Sequence, residues 1–298
     1  MQMQVTLLGT GCPIVDPHRM GPATLVEGGG AAWLVDCGSG VSQRLQAHGR
    51  SGAALSGLLL THLHSDHTVD LMQLLISGWH QGRQHPLRVF GPRGTRAFLE
   101  AIRAAWEPEL RQRQAHEGRQ AGGVSLEITE IGPGWEHAED GLTIRLAEVR
   151  HQPVPQAFAF RFDRGGAAAV VSGDTTYSPE LIALAQGCGL LVHETFLHGD
   201  FVRQRPHLPP QVVDNLAAYH TRSEDVGRVA AQAGAGHLAL THFVPTVFDR
   251  AALLRDVRRH YGGGLSIGED LMSFALGGER PEQPGAVALL RGGAASHP

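Results

Sequence analysis

The segment that most constrains this chain is "GLLLTHLHSDHTVDL", residues 57–71, in which three histidines and two acids follow an apolar run. The run predicts a buried strand, and on an extended backbone His62 and His64 point to the same side, roughly 7 Å apart. A polar turn that only capped this strand would need one or two such residues. Imidazole and carboxylate groups are ligands of zinc and similar metals, so the spacing favours a metal site.

The following residues predict a second half of the same site. Ser65 is the predicted N-cap of a helix over 66–80, which puts Asp66 and His67 on its first turn, facing a neighbouring metal position. A single histidine behind an apolar strand is more often structural, but open α/β sheets place their sites at strand ends. Three later strands end in further potential ligands, which are His151, Asp174 and His242.

The order of elements predicts a layered α/β fold. Several early strand-like runs follow one another closely, which favours mixed sheets with antiparallel pairs over a doubly wound parallel sheet. We expect one domain over residues 1–276, followed by a Gly- and Pro-rich tail over 277–298. Two polar stretches, about 107–123 and 197–219, are interpreted as insertions. The helical patterns cover 40–48, 66–80, 94–106, 178–186, 222–234 and 249–260.

Composition narrows the function classes. The chain has 298 residues, 42% of them hydrophobic, and a formal charge of −4 with arginine as its only basic residue besides histidine, so no basic field for a polyanion stands out. Cys12, Cys37 and Cys188 are too few and too scattered for a disulfide framework or a zinc knuckle. The chain starts directly with a strand pattern and has no apolar run of membrane-spanning length. We therefore expect a cytoplasmic protein without a membrane partner.

The pattern of ligands resembles the metallo-β-lactamase fold hydrolases, whose signature His-x-His-x-Asp-His falls here on residues 62–67. The resemblance implies an αβ/βα four-layer sandwich of two mixed β-sheets with outer helices and metals at one edge. It implies two divalent metal ions, for which Zn²⁺ is expected and Mn²⁺ or iron are alternatives. In this scheme the first metal takes His62, His64 and His151, the second takes Asp66, His67 and His242, and Asp174 bridges them.

Within that superfamily the chain is most similar to the ribonuclease Z and arylsulfatase branch, through "LLGTG", "VDCGSG", "SGDT", "VHETF" and "HTRSEDVGRVA". This branch carries a histidine beside the metals, which corresponds to His220. Two adjacent cations would generate a bridging hydroxide as the nucleophile. Asp66 would orient this hydroxide or take its proton, and His220 would stabilise the transition state or protonate the leaving oxygen. Glu194 would orient His220 and keep it charged.

The substrate is less constrained than the chemistry. Ribonuclease Z of the tRNA-processing kind usually carries a long arm between the positions of His151 and Asp174, and here only 23 positions separate them. We therefore expect a small anionic phosphodiester or sulfate ester, and nucleic acid is not favoured. Processing of tRNA 3′ ends and hydrolysis of a lactone or other acyl ester are the alternatives. A di-iron redox protein or a metal-free binding protein of this fold is the alternative from another class.

Weaker expectations concern residues around the site. Asp36 either supports a metal-binding histidine or is an acid of a strand-end turn. The segment "DLMQLLISGW", residues 70–79, is apolar on more than one face, which predicts a homodimer. Arg203, Arg205 and His207 are expected to belong either to a lid that binds the anionic group of the substrate or to a solvated loop.

Overall fold

The structure is a computed structural model that describes residues 2–277 and 287–290. The strands of this part of the chain are β1 (Met3–Gly9), β2 (Ala23–Gly28), β3 (Ala31–Val35), β4 (Gly57–Leu59), β5 (Leu87–Gly91), β6 (Leu126–Glu130), β7 (Glu136–Glu139), β8 (Leu142–Val149), β9 (Ala157–Arg164), β10 (Ala167–Val171), β11 (Leu190–Phe196), β12 (His237–Val244), β13 (Gly264–Ile267), β14 (Met272–Leu276) and β15 (Val287–Leu290). Its α-helices are α1 (Val41–Ala47), α2 (Leu71–His80), α3 (Thr95–Glu117), α4 (Pro179–Leu184), α5 (His198–Gln204), α6 (Pro210–Ala217), α7 (Ser223–Gln232) and α8 (Arg250–Arg258).

The strands form two mixed sheets. One has eight strands in the order β15-β14-β1-β2-β3-β4-β5-β6, and the other has seven in the order β13-β12-β11-β10-β9-β8-β7. The facing sides of the two sheets share a core that includes Trp33, Phe158, Phe160 and Phe274. Helices α1, α2 and α3 cover the outer face of the first sheet, and α4, α7 and α8 cover that of the second. The predicted αβ/βα sandwich is confirmed.

The parallel parts of both sheets decide where a site can form. Strands β3 to β6 run parallel in the first sheet, and β10 to β13 run parallel in the second. Each strand in these runs must return through a crossover, so the loops that follow their carboxyl ends collect along one edge. The potential ligands lie at this edge.

The structure corrects two details of the sequence interpretation. Neither polar stretch is a simple loop: α3 continues through residue 117, and residues 197–219 contain α5 and α6, whose Phe201 and Val213 are buried. The polar second half of α3 is helical because Glu and Arg recur at i and i+4, as in the Glu107–Arg111 pair.

The second detail is the predicted N-cap Ser65, which was wrong. Residues 65–67 form a separate 3₁₀ turn, and α2 starts only at Leu71 with Asp70 as its N-cap.

The homodimer and the separate C-terminal tail stay predictions. Most apolar side chains of α2, such as Leu74, Leu75 and Trp79, are buried within the chain itself, so this helix gives no separate reason for a homodimer. Residues 287–290 of the predicted tail form β15, and residues 278–286 and 291–298 lie outside the described residues. Among the helices that the structure describes, none has the length and hydropathy required to span a membrane.

Candidate metal centre

The structure brings together all seven potential ligands of the sequence analysis. His62 and His64 follow β4, and Asp66 and His67 lie on the 3₁₀ turn. His151 follows β8, Asp174 follows β10, and His242 lies near the carboxyl end of β12. Their ligand-type atoms fall into groups within 4.8 Å of one another, each able to hold a cation. The first group is His62, His64, His151 and Asp174, the second is Asp66, His67 and His242, and a third, overlapping group is Asp174, His220 and His242.

The first group brings three imidazoles and one carboxylate together. His64 Nδ1 lies 3.2 Å from His151 Nε2. Such a contact stabilises two neutral imidazoles only if one ring donates a hydrogen bond to the other. Asp174 Oδ2 lies 3.8 Å from His151 Nε2 and 4.0 Å from His62 Nε2. Burial lowers the pKa of His62, His64 and His151, so all three favour the neutral form whose lone pair binds metals.

The second group lies next to Asp174 of the first. Asp66 Oδ2 lies 3.2 Å from His242 Nε2 and 3.6 Å from His67 Nε2. Asp174 Oδ2 is 3.3 Å from His67 Nε2 and 3.5 Å from His242 Nε2. Burial opposes ionisation of Asp174, but His242 and His67 outweigh it and hold the pKa of Asp174 well below its usual value. The position of Asp174 between the groups suits a bridging carboxylate.

Unused hydrogen-bonding capacity provides a test of whether metals fit here. His62 Nε2 and Asp174 Oδ1 are both buried, and neither has a hydrogen-bond partner among the described residues. Buried polar atoms are nearly always paired in folded proteins, and lone pairs of imidazole and carboxylate groups are satisfied equally well by a cation. The residues present therefore fit divalent metal ions.

Asp36 supports two of the histidines through hydrogen bonds. Its Oδ2 accepts from His67 Nδ1 at 2.9 Å and from Thr61 Oγ1 at 2.8 Å, while its Oδ1 accepts from the Thr61 backbone N–H at 2.8 Å. Thr61 Oγ1 in turn lies 3.0 Å from His62 Nδ1. These contacts leave the Nε2 atoms of both histidines facing the centre.

The backbone is distorted at two of these positions. Asp36 and His242 have φ angles of 61° and 45°, a left-handed region that residues other than glycine rarely adopt. In the pairing of β11 with β12, Glu194 faces Thr241 and Thr195 faces Phe243, so His242 is an extra residue in a β-bulge. Such a bulge changes the direction of a side chain, and here it turns the imidazole towards Asp66 and Asp174.

Glu194 and His220 form a buried pair beside the centre. His220 Nδ1 lies 3.1 Å from Glu194 Oε1, which also accepts from the backbone N–H of Thr221 at 3.0 Å and of Thr175 at 3.2 Å. Burial opposes protonation of His220, but the charge and hydrogen bond of Glu194 outweigh it and raise the pKa of His220 to about 9. A protonated His220 at this place can stabilise negative charge that develops during a reaction.

The weaker candidates are not drawn into this centre. Arg203 forms an ion pair with Asp200, Arg205 lies over the Phe201 ring at 4.6 Å, and His207 is exposed. Arg205 is half-buried, and the choice between a lid and a solvated loop at these three residues stays a prediction.

The sequence analysis missed one neighbour of the centre, Tyr219. Its carbonyl oxygen accepts a hydrogen bond from His151 Nδ1 at 2.7 Å. Its ring packs on the same histidine and on His220, with centroids 5.1 Å and 4.7 Å apart. Its place directly before His220 in the sequence was the one signal that could have drawn attention to it.

Comparisons with known proteins agree with this architecture. Residues 32–243 match the family model described as "Beta-lactamase superfamily domain". Over 276 residues the chain is 40% identical to a protein named Ribonuclease Z from Mycobacterium marinum, which covers 90% of this chain and 97% of that relative. Over 249 residues it is 43% identical to a Ribonuclease Z from Mycobacterium sp. (strain KMS), which covers 82% of this chain and 85% of the relative.

Solved structures show the same fold at lower sequence identity. The metallo-beta-lactamase fold protein YhfI from Bacillus subtilis has a TM-score of 0.71 and 22% identity, covering 92% of this chain and 99% of that one. The short form of human tRNase Z has a TM-score of 0.65 and 20% identity, covering 91% of this chain and 98% of that one.

Proposed function

The chain belongs to the metallo-β-lactamase superfamily as a metal-dependent hydrolase, and from that premise we propose that it is a ribonuclease Z-like enzyme that hydrolyses phosphodiester bonds of RNA. The observation that carries this proposal is the 40% identity over almost the whole length of a relative named Ribonuclease Z. This proposal replaces the expected small phosphate or sulfate ester, because these relatives favour the alternative, processing of tRNA 3′ ends.

The short connection between His151 and Asp174 was the argument against an RNA substrate. It contains β9, a turn and β10, and no arm. However, an alignment of 276 residues that covers 90% of this chain and 97% of the relative leaves little room for a long segment that only one of them has. The missing arm therefore does not separate this chain from proteins that bear the name Ribonuclease Z.

In the proposed mechanism, the seven clustered residues would hold two divalent metal ions, with Asp174 contributing to both sites. When bound, these ions activate water and neutralise charge on the ester. The histidine-rich donor set is typical of Zn²⁺ sites, so Zn²⁺ is the proposed metal. We assign Asp36 to orienting His62 and His67, and Tyr219 through its carbonyl to orienting His151.

Asp66 and His220 transfer protons in the proposed mechanism. Burial opposes ionisation of Asp66, but the hydrogen bond from His242 and the charge of His67 lower its pKa, so Asp66 is ionised and can accept a proton from the attacking water. His220, protonated through Glu194, donates to the charge that develops on the phosphate or to the leaving oxygen. A fixed donor of this kind contributes in the transition state, because the negative charge is largest there.

The test compares substrates on the same metal-loaded protein. A precursor tRNA with a 3′ trailer, bis(p-nitrophenyl) phosphate, an aryl sulfate and a lactone are incubated with wild-type protein and with His64→Ala as the inactive control. We expect cleavage of the RNA at the 3′ trailer, and some turnover of the phosphodiester. Turnover of the small ester with intact RNA would refute the RNA proposal and favour a small phosphodiester substrate.

A further inference from the structure

The hydroxyl of Tyr219 differs from those of the other two tyrosines of the chain. Tyr177 Oη donates a hydrogen bond to Gln232, and Tyr261 Oη donates to the carbonyl of Ala235 at 2.8 Å. Tyr219 Oη donates to no atom within the described part of the chain, and it is not among the buried unpaired atoms there. It is therefore a solvent-accessible donor with unused capacity.

The ring that carries this hydroxyl is held firmly beside the centre. It meets the His151 imidazole nearly at right angles, 86°, and the His220 imidazole at 48°. The hydrogen bond between the Tyr219 carbonyl and His151 Nδ1 fixes the backbone at the same point. A ring packed on two imidazoles and only partly buried has its position determined by packing, so the hydroxyl needs little further ordering before it donates.

We propose that Tyr219 binds the substrate, by donating a hydrogen bond from its hydroxyl to a non-bridging oxygen of the phosphate held at the metal centre. The inference rests on the proposed function, since it takes a phosphodiester as substrate. A phenol is a neutral donor at neutral pH, and its bond to an anionic phosphate oxygen is charge-assisted, roughly twice as strong as a bond between neutral groups. Together with His220, this residue provides donors from two consecutive positions of the chain.

The phosphate itself provides a readout that does not depend on catalysis. The affinity of the metal-loaded full chain for inorganic phosphate is measured by calorimetry for the wild type, Tyr219→Phe and the matched control Tyr177→Phe. Phenylalanine keeps the ring and its packing on the imidazoles and removes only the oxygen. We expect Tyr219→Phe to weaken phosphate binding by about 10-fold, the scale for a hydrogen bond to a charged group, with metal content unchanged. Tyr177→Phe should match the wild type.

Kinetics with bis(p-nitrophenyl) phosphate complete the test. A bond that is made equally to the bound substrate and to the transition state raises KM when it is removed and leaves kcat nearly unchanged. We expect that split for Tyr219→Phe, and the same shift with a precursor RNA. Wild-type phosphate affinity and wild-type KM in Tyr219→Phe would overturn the proposal, and so would a wild-type protein that binds no phosphate.

The outcomes also separate this inference from the proposed function. If Tyr219→Phe weakens phosphate binding but the wild type leaves RNA intact, the ribonuclease proposal fails and the role of Tyr219 stands. If the wild type cleaves RNA and the Tyr219→Phe protein does so with the same KM and the same phosphate affinity, the ribonuclease proposal stands and the role of Tyr219 fails.

Discussion

Replacing Asp36 by asparagine should weaken metal binding without unfolding the protein. The carboxylate accepts three hydrogen bonds, and two of them, from His67 Nδ1 and Thr61 Oγ1, end on the same oxygen. Asparagine has nearly the same shape and tolerates the left-handed φ of 61° at this position. It can keep the bond from the Thr61 backbone, but it turns an NH₂ donor towards the other two donors.

The size of the effect follows from what Asp36 contacts. It touches no cation site directly and acts by fixing the imidazole of His67 and, through Thr61, that of His62. Losing such a partner of a metal-binding histidine costs about 10- to 100-fold in metal affinity, or about 1.4–2.7 kcal/mol. The two opposed donors should also lower the free energy of unfolding of the metal-free protein by about 1–3 kcal/mol.

A competition titration with a chromogenic chelator gives the number of metals bound and their dissociation constants, and urea unfolding gives the stability. Asp70→Asn is the matched control, because Asp70 accepts from the Ser42 backbone N–H at 2.6 Å, and in the described part of the chain no hydrogen bond or ion pair joins its side chain to the seven clustered residues. We expect wild-type metal affinity in this control. Two metals bound to Asp36→Asn with wild-type affinity would refute the reasoning that Asp36 orients the ligands.

Three further predictions test the remaining roles. His220→Ala should lower kcat by about 10²–10³-fold with both metals retained, and Glu194→Gln should lower kcat little further in the His220→Ala background. Additive losses of kcat would contradict a joint role of the two residues. Loss of a metal in His220→Ala would make His220 a ligand. Gly173→Ala should lower the free energy of unfolding, measured in urea, by about 1–3 kcal/mol more than Gly187→Ala. The two glycines have similar φ angles, 59° and 61°, but only at Gly173 would a Cβ meet neighbours, 2.7 Å from the Phe158 carbonyl oxygen. Equal losses would exclude that steric term. The homodimer predicted from the sequence is tested by sedimentation at micromolar concentration, where a monomeric mass would contradict it.

Much of the fold was accessible from local patterns. Apolar runs predicted strands such as β5 and helical periods predicted α1, α7 and α8 to within a few residues, because period 2 and period 3.6 are properties of one continuous segment. The charged second half of α3 was missed, since a solvated helix lacks an apolar face to mark it. The 3₁₀ turn at residues 65–67 was missed because its shape depends on groups outside the segment, such as the Cys37 N–H that bonds to the His67 carbonyl.

The sequence alone determined which ligand types stand at which strand ends. The spacing of His62 and His64, and the histidine or aspartate at the end of three later strands, follow from the chain locally and needed no knowledge of the packing. The tertiary structure decided what surrounds them. Tyr219 reaches His151 across 68 residues, and Asp36 reaches His67 across 31. Such hydrogen bonds exist only after two sheets and their crossovers place distant segments within about 3 Å, and no spacing along one chain encodes that distance.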